Sequence, residues 1–187
     1  MTDADPRAVP GADFLEPDEI RSIQKRHWQT QAEYVRATSV FYRDSVGLSS
    51  RLKGDLDELA DLPFTDKQML REDQAAHPPF GTYLAADPTR IMRMHRTSGT
   101  TGSAMNLALS RRDAAVTAAV GGRAQAAAGL GPGHRVVHCL NYQLWMGGYT
   151  DHATLEATGA MVIPYGVGNS AGLIDVIREL GVTAISC

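Results

Sequence analysis

Six consecutive small residues, Thr97-Ser98-Gly99-Thr100-Thr101-Gly102, are the stretch of the chain best suited to chemistry. Their hydroxyls and successive backbone N–H groups are donors, and the two glycines permit positive φ and close approach by a ligand. A concave run of N–H donors of this kind binds anions. Arg93, His95, Arg96, Arg111 and Arg112 flank it in sequence, so a positive local potential is expected if they stay close in space. The same composition also builds plain turns, which leaves a ligand-free connection as the alternative. The segment is not a P-loop of the G-x-x-x-x-G-K-[ST] type, because Ser103-Ala104-Met105 and no lysine follow Gly102. Nor is it a dinucleotide fingerprint, since G-x-G-x-x-G is absent.

A second segment, Asn141-Tyr-Gln-Leu-Trp-Met-Gly-Gly148, has the makings of a ligand wall. Tyr142, Leu144, Trp145 and Met146 offer apolar surface, and Asn141 or Tyr142 a polar contact. Gly147 and Gly148 would let a ligand reach the N-terminus of the following helix. The alternative is that Trp145 and Met146 are core residues capping a sheet. The remaining candidates read as structural. His95 is expected to be a satisfied histidine rather than a base. His134, His138 and His152 lack metal-ligand spacing. Trp28, Tyr34 and Tyr42 fall on a helix face and read as core. Cys139 and Cys187 belong to no C-x-x-C or Cys/His cluster, so no zinc site is expected and Cys139 reads as a small core hydrophobe.

The elements that must position these segments follow from periodicity. Residues 1–16 read as a disordered tail. Apolar residues three to four apart from Ile20 to Tyr42 predict one long helix, or two with a bend, over Asp18–Tyr42. Short helices are expected at Asp55–Ala60 and Asp66–Asp73, the second with Thr65 at its N-cap and Gln68 three residues on. His77–Gly81 is a break. After Pro88 the period shortens: Arg90–His95 and Met105–Leu109 read as strands joined as a hairpin by the Ser/Thr/Gly segment. Ser110 and Asp113 form a capping box that opens a helix to about Ala128. Strand Arg135–Leu140, helix Tyr149–Thr158, strand Ala160–Pro164, helix Ser170–Leu180 and strand Val182–Ser186 follow. That alternation predicts an α/β fold: an N-terminal helical segment over 17–85, then part of a doubly wound, mainly parallel sheet over 86–187.

Composition narrows the partners. The 187 residues are 43% hydrophobic and 21% charged, enough for a sizeable core. Four of the 21 acidic residues fall in the first 16 positions against one of the 18 basic ones, which leaves 17 of each sign and puts the net charge of −3 in the tail. A neutral body, with an overall pI near 6.0, lacks the field of a nucleic-acid binder. No apolar run reaches membrane-spanning length and no signal peptide is recognisable, so a cytoplasmic protein acting on a small molecule is expected.

With these residues in hand, the sequence resembles the adenylate-forming superfamily. Arg93-Met-His-Arg-Thr-Ser-Gly-Thr-Thr-Gly102 is similar to its phosphate-binding motif. Phe41-Tyr42-Arg43, Asp61-Leu-Pro-Phe-Thr-Asp-Lys67, Pro79-Phe80-Gly81 and Asn141–Gly148 resemble segments of the phenylacetate–CoA ligase branch. The resemblance implies ATP-dependent activation of a carboxylic acid, aryl or arylacetic, to an acyl-adenylate and then a coenzyme A thioester, with Mg²⁺ on the triphosphate and a homodimer as the assembly. Thr97, Ser98, Gly99, Thr100, Thr101 and Gly102 would hold the triphosphate. Asn141, Tyr142, Trp145, Met146, Gly147 and Gly148 would line the acyl site. It assigns no residue of this chain a catalytic or metal-ligating role. The adenine- and ribose-binding segments and the lysine-bearing C-terminal domain of the family have no counterpart before Cys187. The chain is therefore expected to be the N-terminal part of such a ligase, inactive in isolation. A truncated remnant serving as a binding or interaction module is the alternative.

Overall fold

The computed structural model describes residues 14–45, 47, 54–99 and 104–187. They form two compact units: one takes the described residues up to Ile91 together with Gly99–Ala108, the other Met92–Ser98 together with Leu109–Cys187.

In the first unit, α1 (Pro17–Thr38) begins with proline in its first turn and a capping box between Glu16 and Glu19, which satisfies otherwise orphaned N–H groups. It stops at Thr38, short of the expected Tyr42. A π-type turn over Phe41–Ser45 follows, so Tyr42 lies outside the helix. There Phe41, 3% exposed, gathers Tyr42, Leu62, Met69, Leu70 and Tyr83 into a small core. Tyr34, expected in the core, is 43% exposed, and its hydroxyl donates to the Ala85 carbonyl at 3.0 Å. A 3₁₀ turn covers Leu56–Asp61. α2 (Lys67–Ala76) is capped by Asp66, whose carboxylate accepts from Met69 N–H at 2.8 Å; Thr65, the expected cap, stands one residue too early. The Asp73 carboxylate then closes the break after α2, accepting from Thr82 N–H and Oγ1 at 2.6 Å each and from Tyr83 N–H at 3.2 Å.

β1 (Ile91–Arg96) and β2 (Asn106–Ser110) form a two-stranded sheet. Ser110 and Asp113 cap α3 (Arg111–Ala127) reciprocally, as their spacing predicts.

The second unit holds the parallel sheet. β3 (Arg135–His138) lies between β4 (Met161–Pro164) and β5 (Ala184–Ser186), with Val136 opposite both Val162 and Ala184. The connections are α4 (Met146–Glu156) and α5 (Ser170–Glu179). From β3 to β4 the chain steps one way across the sheet, and from β4 to β5 it steps back past β3. Right-handed crossovers then put α4 and α5 on opposite faces. The central strand is accordingly sealed: Val136, Val137 and His138 are each 0% exposed. Leu155 of α4, also fully buried, packs with Val136, Ala160 and Leu130.

Candidate active site

The residues after β3 and the strand β1 meet in the second unit. β1 runs into Thr97, Ser98 and Gly99, the last with φ +66°, a conformation that favours glycine. Thr100, Thr101 and Gly102 lie outside the described residues. Two ties join β1 to the segment beyond the carboxyl end of β3. Arg96 N–H donates to the Leu144 carbonyl at 2.7 Å. His95, 3% exposed, is hydrogen-bonded to the backbone of Leu144 and Trp145, with Thr150 Oγ1 at 3.4 Å from its Nε2. Burial, and secondarily the Arg93 charge, push the His95 pKa down. The imidazole is a neutral, satisfied structural group.

Between β1 and this segment lies an open cavity of about 650 Å³. Met92, Arg93, Met94 and His95 form its β1 side. Tyr142, Gln143, Leu144 and Tyr149 form the other. The Arg93 guanidinium sits over the Tyr149 ring, 4.1 Å from its centroid, a cation–π contact that keeps a positive charge at the cavity wall. Met92, Met94 and Leu144 make the wall apolar in the main, with Gln143 and His95 as its other polar members. A small ligand with an apolar body and an anionic end fits that chemistry.

Behind Tyr142 stand two further polar side chains, His152 and Glu156. The phenol oxygen is 2.8 Å from His152 Nδ1, and His152 Nε2 is 3.1 Å from a Glu156 carboxylate oxygen one helical turn on. Burial first, then the negative charge of Glu156, push the Tyr142 pKa up to about 12. The phenol is thus protonated and hydrogen-bonded to His152 Nδ1, with the Glu156 carboxylate close to the other ring nitrogen. The His138 ring stands edge-on to Tyr142, centroids 5.4 Å apart; its Nε2 donates to the Gly148 carbonyl at 2.8 Å and its Nδ1 is 3.0 Å from Ser186 Oγ.

Of the residues proposed from sequence for the acyl wall, Tyr142 lines the cavity. Asn141 uses its side-chain oxygen on its own loop, accepting from Gln143 N–H at 2.9 Å. Trp145 is the N-cap residue of α4 and 44% exposed, and its ring packs over Gly147. α4 begins at Met146, three residues before the expected Tyr149, so both glycines lie within its first turn. Gly148 is buried there because the Asn141 carbonyl occupies the space a side chain would need. The β1 wall and the His152–Glu156 pair were not anticipated. The i, i+4 spacing of His152 and Glu156 was the available signal for the pair. The β1 wall had none, since it lies about fifty residues upstream.

Comparison with known proteins fits this layout. No protein-family model matches the chain. Phenylacetate–coenzyme A ligase of Thermus thermophilus is 32% identical over 181 residues, 95% of this chain and 40% of that protein. The enzyme of the same name from Aromatoleum evansii is 30% identical over 93% of this chain and 40% of its own length. Among solved structures, 2-hydroxyisobutyryl-CoA ligase in complex with 2-HIB-AMP and CoA in the thioesterification state superposes with a TM-score of 0.83 at 29% identity, over 97% of this chain and 41% of that one. The same ligase in the postadenylation state with 2-HIB-AMP gives 0.81 at 28% identity over 91% of this chain and 37% of that one. The fold is thus that of an α/β ligase domain. The chain belongs to the adenylate-forming superfamily, in its phenylacetate–coenzyme A ligase branch, and spans about two-fifths of the length of the curated relatives it matches.

Proposed function

We propose that this chain supplies the triphosphate-binding loop and one wall of the acid pocket of an ATP-dependent carboxylate–CoA ligase. The observation that carries the reading is the pair of ties from β1 to the loop after β3: Arg96 N–H to the Leu144 carbonyl, and His95 to the backbone of Leu144 and Trp145. They hold the strand that leads into Thr97–Gly102 against the wall formed by Tyr142 and Leu144. In this reading the N–H and hydroxyl donors of Thr97, Ser98, Gly99, Thr100, Thr101 and Gly102 neutralise the β- and γ-phosphates. An oxygen of the acid attacks the α-phosphorus, pyrophosphate leaves, and the acyl-adenylate forms. The sulfur of coenzyme A then attacks the acyl carbon, AMP departs, and the thiol proton is released. Neither step requires a nucleophile from this chain; positioning and charge neutralisation are what it contributes. Mg²⁺ would ride on the triphosphate, held mainly by phosphate oxygens and water. That mode needs no carboxylate cage, and among the described residues no group of three His, Cys, Asp or Glu side chains is placed to hold a metal. The apolar body of the cavity and the Arg93–Tyr149 stack favour an aryl or arylacetic acid. Among the described residues no helix is long and apolar enough to cross a membrane, and a cytoplasmic setting, where ATP and coenzyme A are both supplied, suits the reading.

The test is Thr100→Ala and Gly102→Val in the intact protein. One loses a hydroxyl donor and the other a close-approach glycine where charge must be held. Loss of one such donor costs about 3 kcal/mol, so acid-dependent ATP–pyrophosphate exchange should fall by two orders of magnitude or more, with acid binding nearly unchanged. Exchange within twofold of the parent for both variants rules the assignment out.

A further inference from the structure

Tyr142 faces the cavity, yet its one polar atom is engaged behind it. We propose that the chain Tyr142–His152–Glu156 is a specificity device: it withholds the phenol hydroxyl from the acid site and presents the ring alone, selecting acids with an apolar group next to the carboxylate-bearing carbon over 2-hydroxy acids. The inference rests on the acid-pocket reading above and deepens it.

A tyrosine on a pocket wall can donate its O–H to a substrate hydroxyl or turn its ring to a substrate ring, and the partner behind it decides which. Here Tyr142 lies 2.8 Å from His152 Nδ1. His152 is one turn from Glu156 on α4, with Nε2 at 3.1 Å from the carboxylate. The phenol both donates and accepts, so it pairs with Nδ1 in either tautomer of the ring. The His152 side chain is 16% exposed, whereas Glu156 is 62% exposed, so the anchor of the chain is in water and its reading head is sheltered. The ring is braced from a third side by His138, edge-on at 5.4 Å, and His138 is itself fixed by the Gly148 carbonyl and Ser186. With the oxygen held on His152, which does not line the cavity, Tyr142 turns its ring rather than its hydroxyl towards a 2-hydroxyl group. A site without the matching partner leaves such a group desolvated and unpaired, which is costly. His152 and Glu156 are positioning residues here, since neither lines the cavity.

The experiment compares phenylacetate with its 2-hydroxy analogue, mandelate, in acid-dependent pyrophosphate exchange by the intact protein. The variants are His152→Leu, His152→Asn, Tyr142→Phe and the pair Tyr142→Phe/His152→Leu. Wild-type protein should prefer phenylacetate. His152→Leu frees the hydroxyl and should raise the KM for phenylacetate about tenfold, the worth of one good hydrogen bond, while the KM for ATP stays within twofold. The preference over mandelate should narrow at least fivefold. His152→Asn, whose side-chain oxygen can accept from the phenol, should restore most of it. The double variant should select no worse than Tyr142→Phe alone, because a ring without a hydroxyl needs no restraint. Unchanged selectivity in His152→Leu, or a parallel rise in the KM for ATP, overturns the specificity role and leaves the acid-pocket reading standing. Absence of exchange with every acid in the wild-type protein overturns both.

Discussion

Replacing Gly148 by alanine should destabilise the second unit, whereas the same change at Gly147 should not. A Cβ built on Gly148 runs into the carbonyl oxygen of Asn141, and lies 2.7 Å from that carbonyl's carbon and 2.8 Å from the Tyr142 Cα. All three are backbone atoms, so no rotamer change relieves the overlap. Either the first turn of α4 lifts or the Asn141–Tyr142 peptide moves. Overpacking of this kind costs about 1–3 kcal/mol. Displacing Gly148 also loosens its carbonyl from His138 Nε2, now 2.8 Å away, for roughly 1 kcal/mol more. Helix propensity returns up to about 1 kcal/mol for glycine to alanine. The balance is a loss of about 2 kcal/mol, or a fall in Tm of roughly 4–8 °C for a chain of this size. At Gly147 the new methyl meets only the Trp145 ring, 2.7 Å at the nearest atom. That ring is 44% exposed and free to swing, so the propensity gain should leave the variant as stable as wild type or slightly more so. Thermal unfolding by circular dichroism of both variants reads the difference directly. Equal melting temperatures for Gly148→Ala and Gly147→Ala would refute the claim that the glycine is there to let two backbones touch.

Two further outcomes follow from side-chain geometry. In an alkaline titration followed by phenolate absorbance, one tyrosine should ionise near 12, and Tyr142→Phe should remove that component. Because the folded-state value lies above the usual one, the contribution of Tyr142 to stability is intact below about pH 10 and is lost as the pH rises towards 12; a titration with no component above 11 contradicts the burial of this phenol. Asp73→Ala should lower the stability of the first unit by about 2–4 kcal/mol, since two N–H groups and a hydroxyl lose a charged acceptor. Asp73→Asn, which keeps one acceptor oxygen, should lose less, and a urea midpoint for Asp73→Ala matching wild type would rule out this role.

Local chemistry made much of the fold legible. Ser110 and Asp113 announce the start of α3 because both halves of the cap lie within four residues. The alternation after Arg135 yields the parallel strands because each strand is short, apolar and followed by an amphipathic stretch. Legibility fails where a distant group decides. Thr65 and Asp66 are both good cap residues, and only the direction of the Asp66 carboxylate onto Met69 N–H separates them. Gly147 and Gly148 argue locally against a helix start, yet α4 begins at Met146 because the Asn141 carbonyl admits no side chain at Gly148. The candidate site follows the same rule. Its loop residues announce themselves through composition, while its β1 wall depends on hydrogen bonds between strands and loops nearly fifty residues apart.

The position of β3 has a consequence for how the chain is made. Both its neighbours, β4 and β5, lie downstream of it in sequence, so β3 leaves the ribosome with two open edges and nothing yet synthesised to cover them. One edge closes when β4 arrives. The other waits for β5, and His138 and Ser186 are 48 residues apart. At typical elongation rates of about 5–20 residues per second that interval is roughly 2–10 s. For those seconds a strand containing two consecutive valines is a template for pairing with any other nascent chain. Slower translation through residues 139–186 therefore prolongs exposure to aggregation, and the yield of folded protein should depend on the elongation rate and on chaperone capacity during that window.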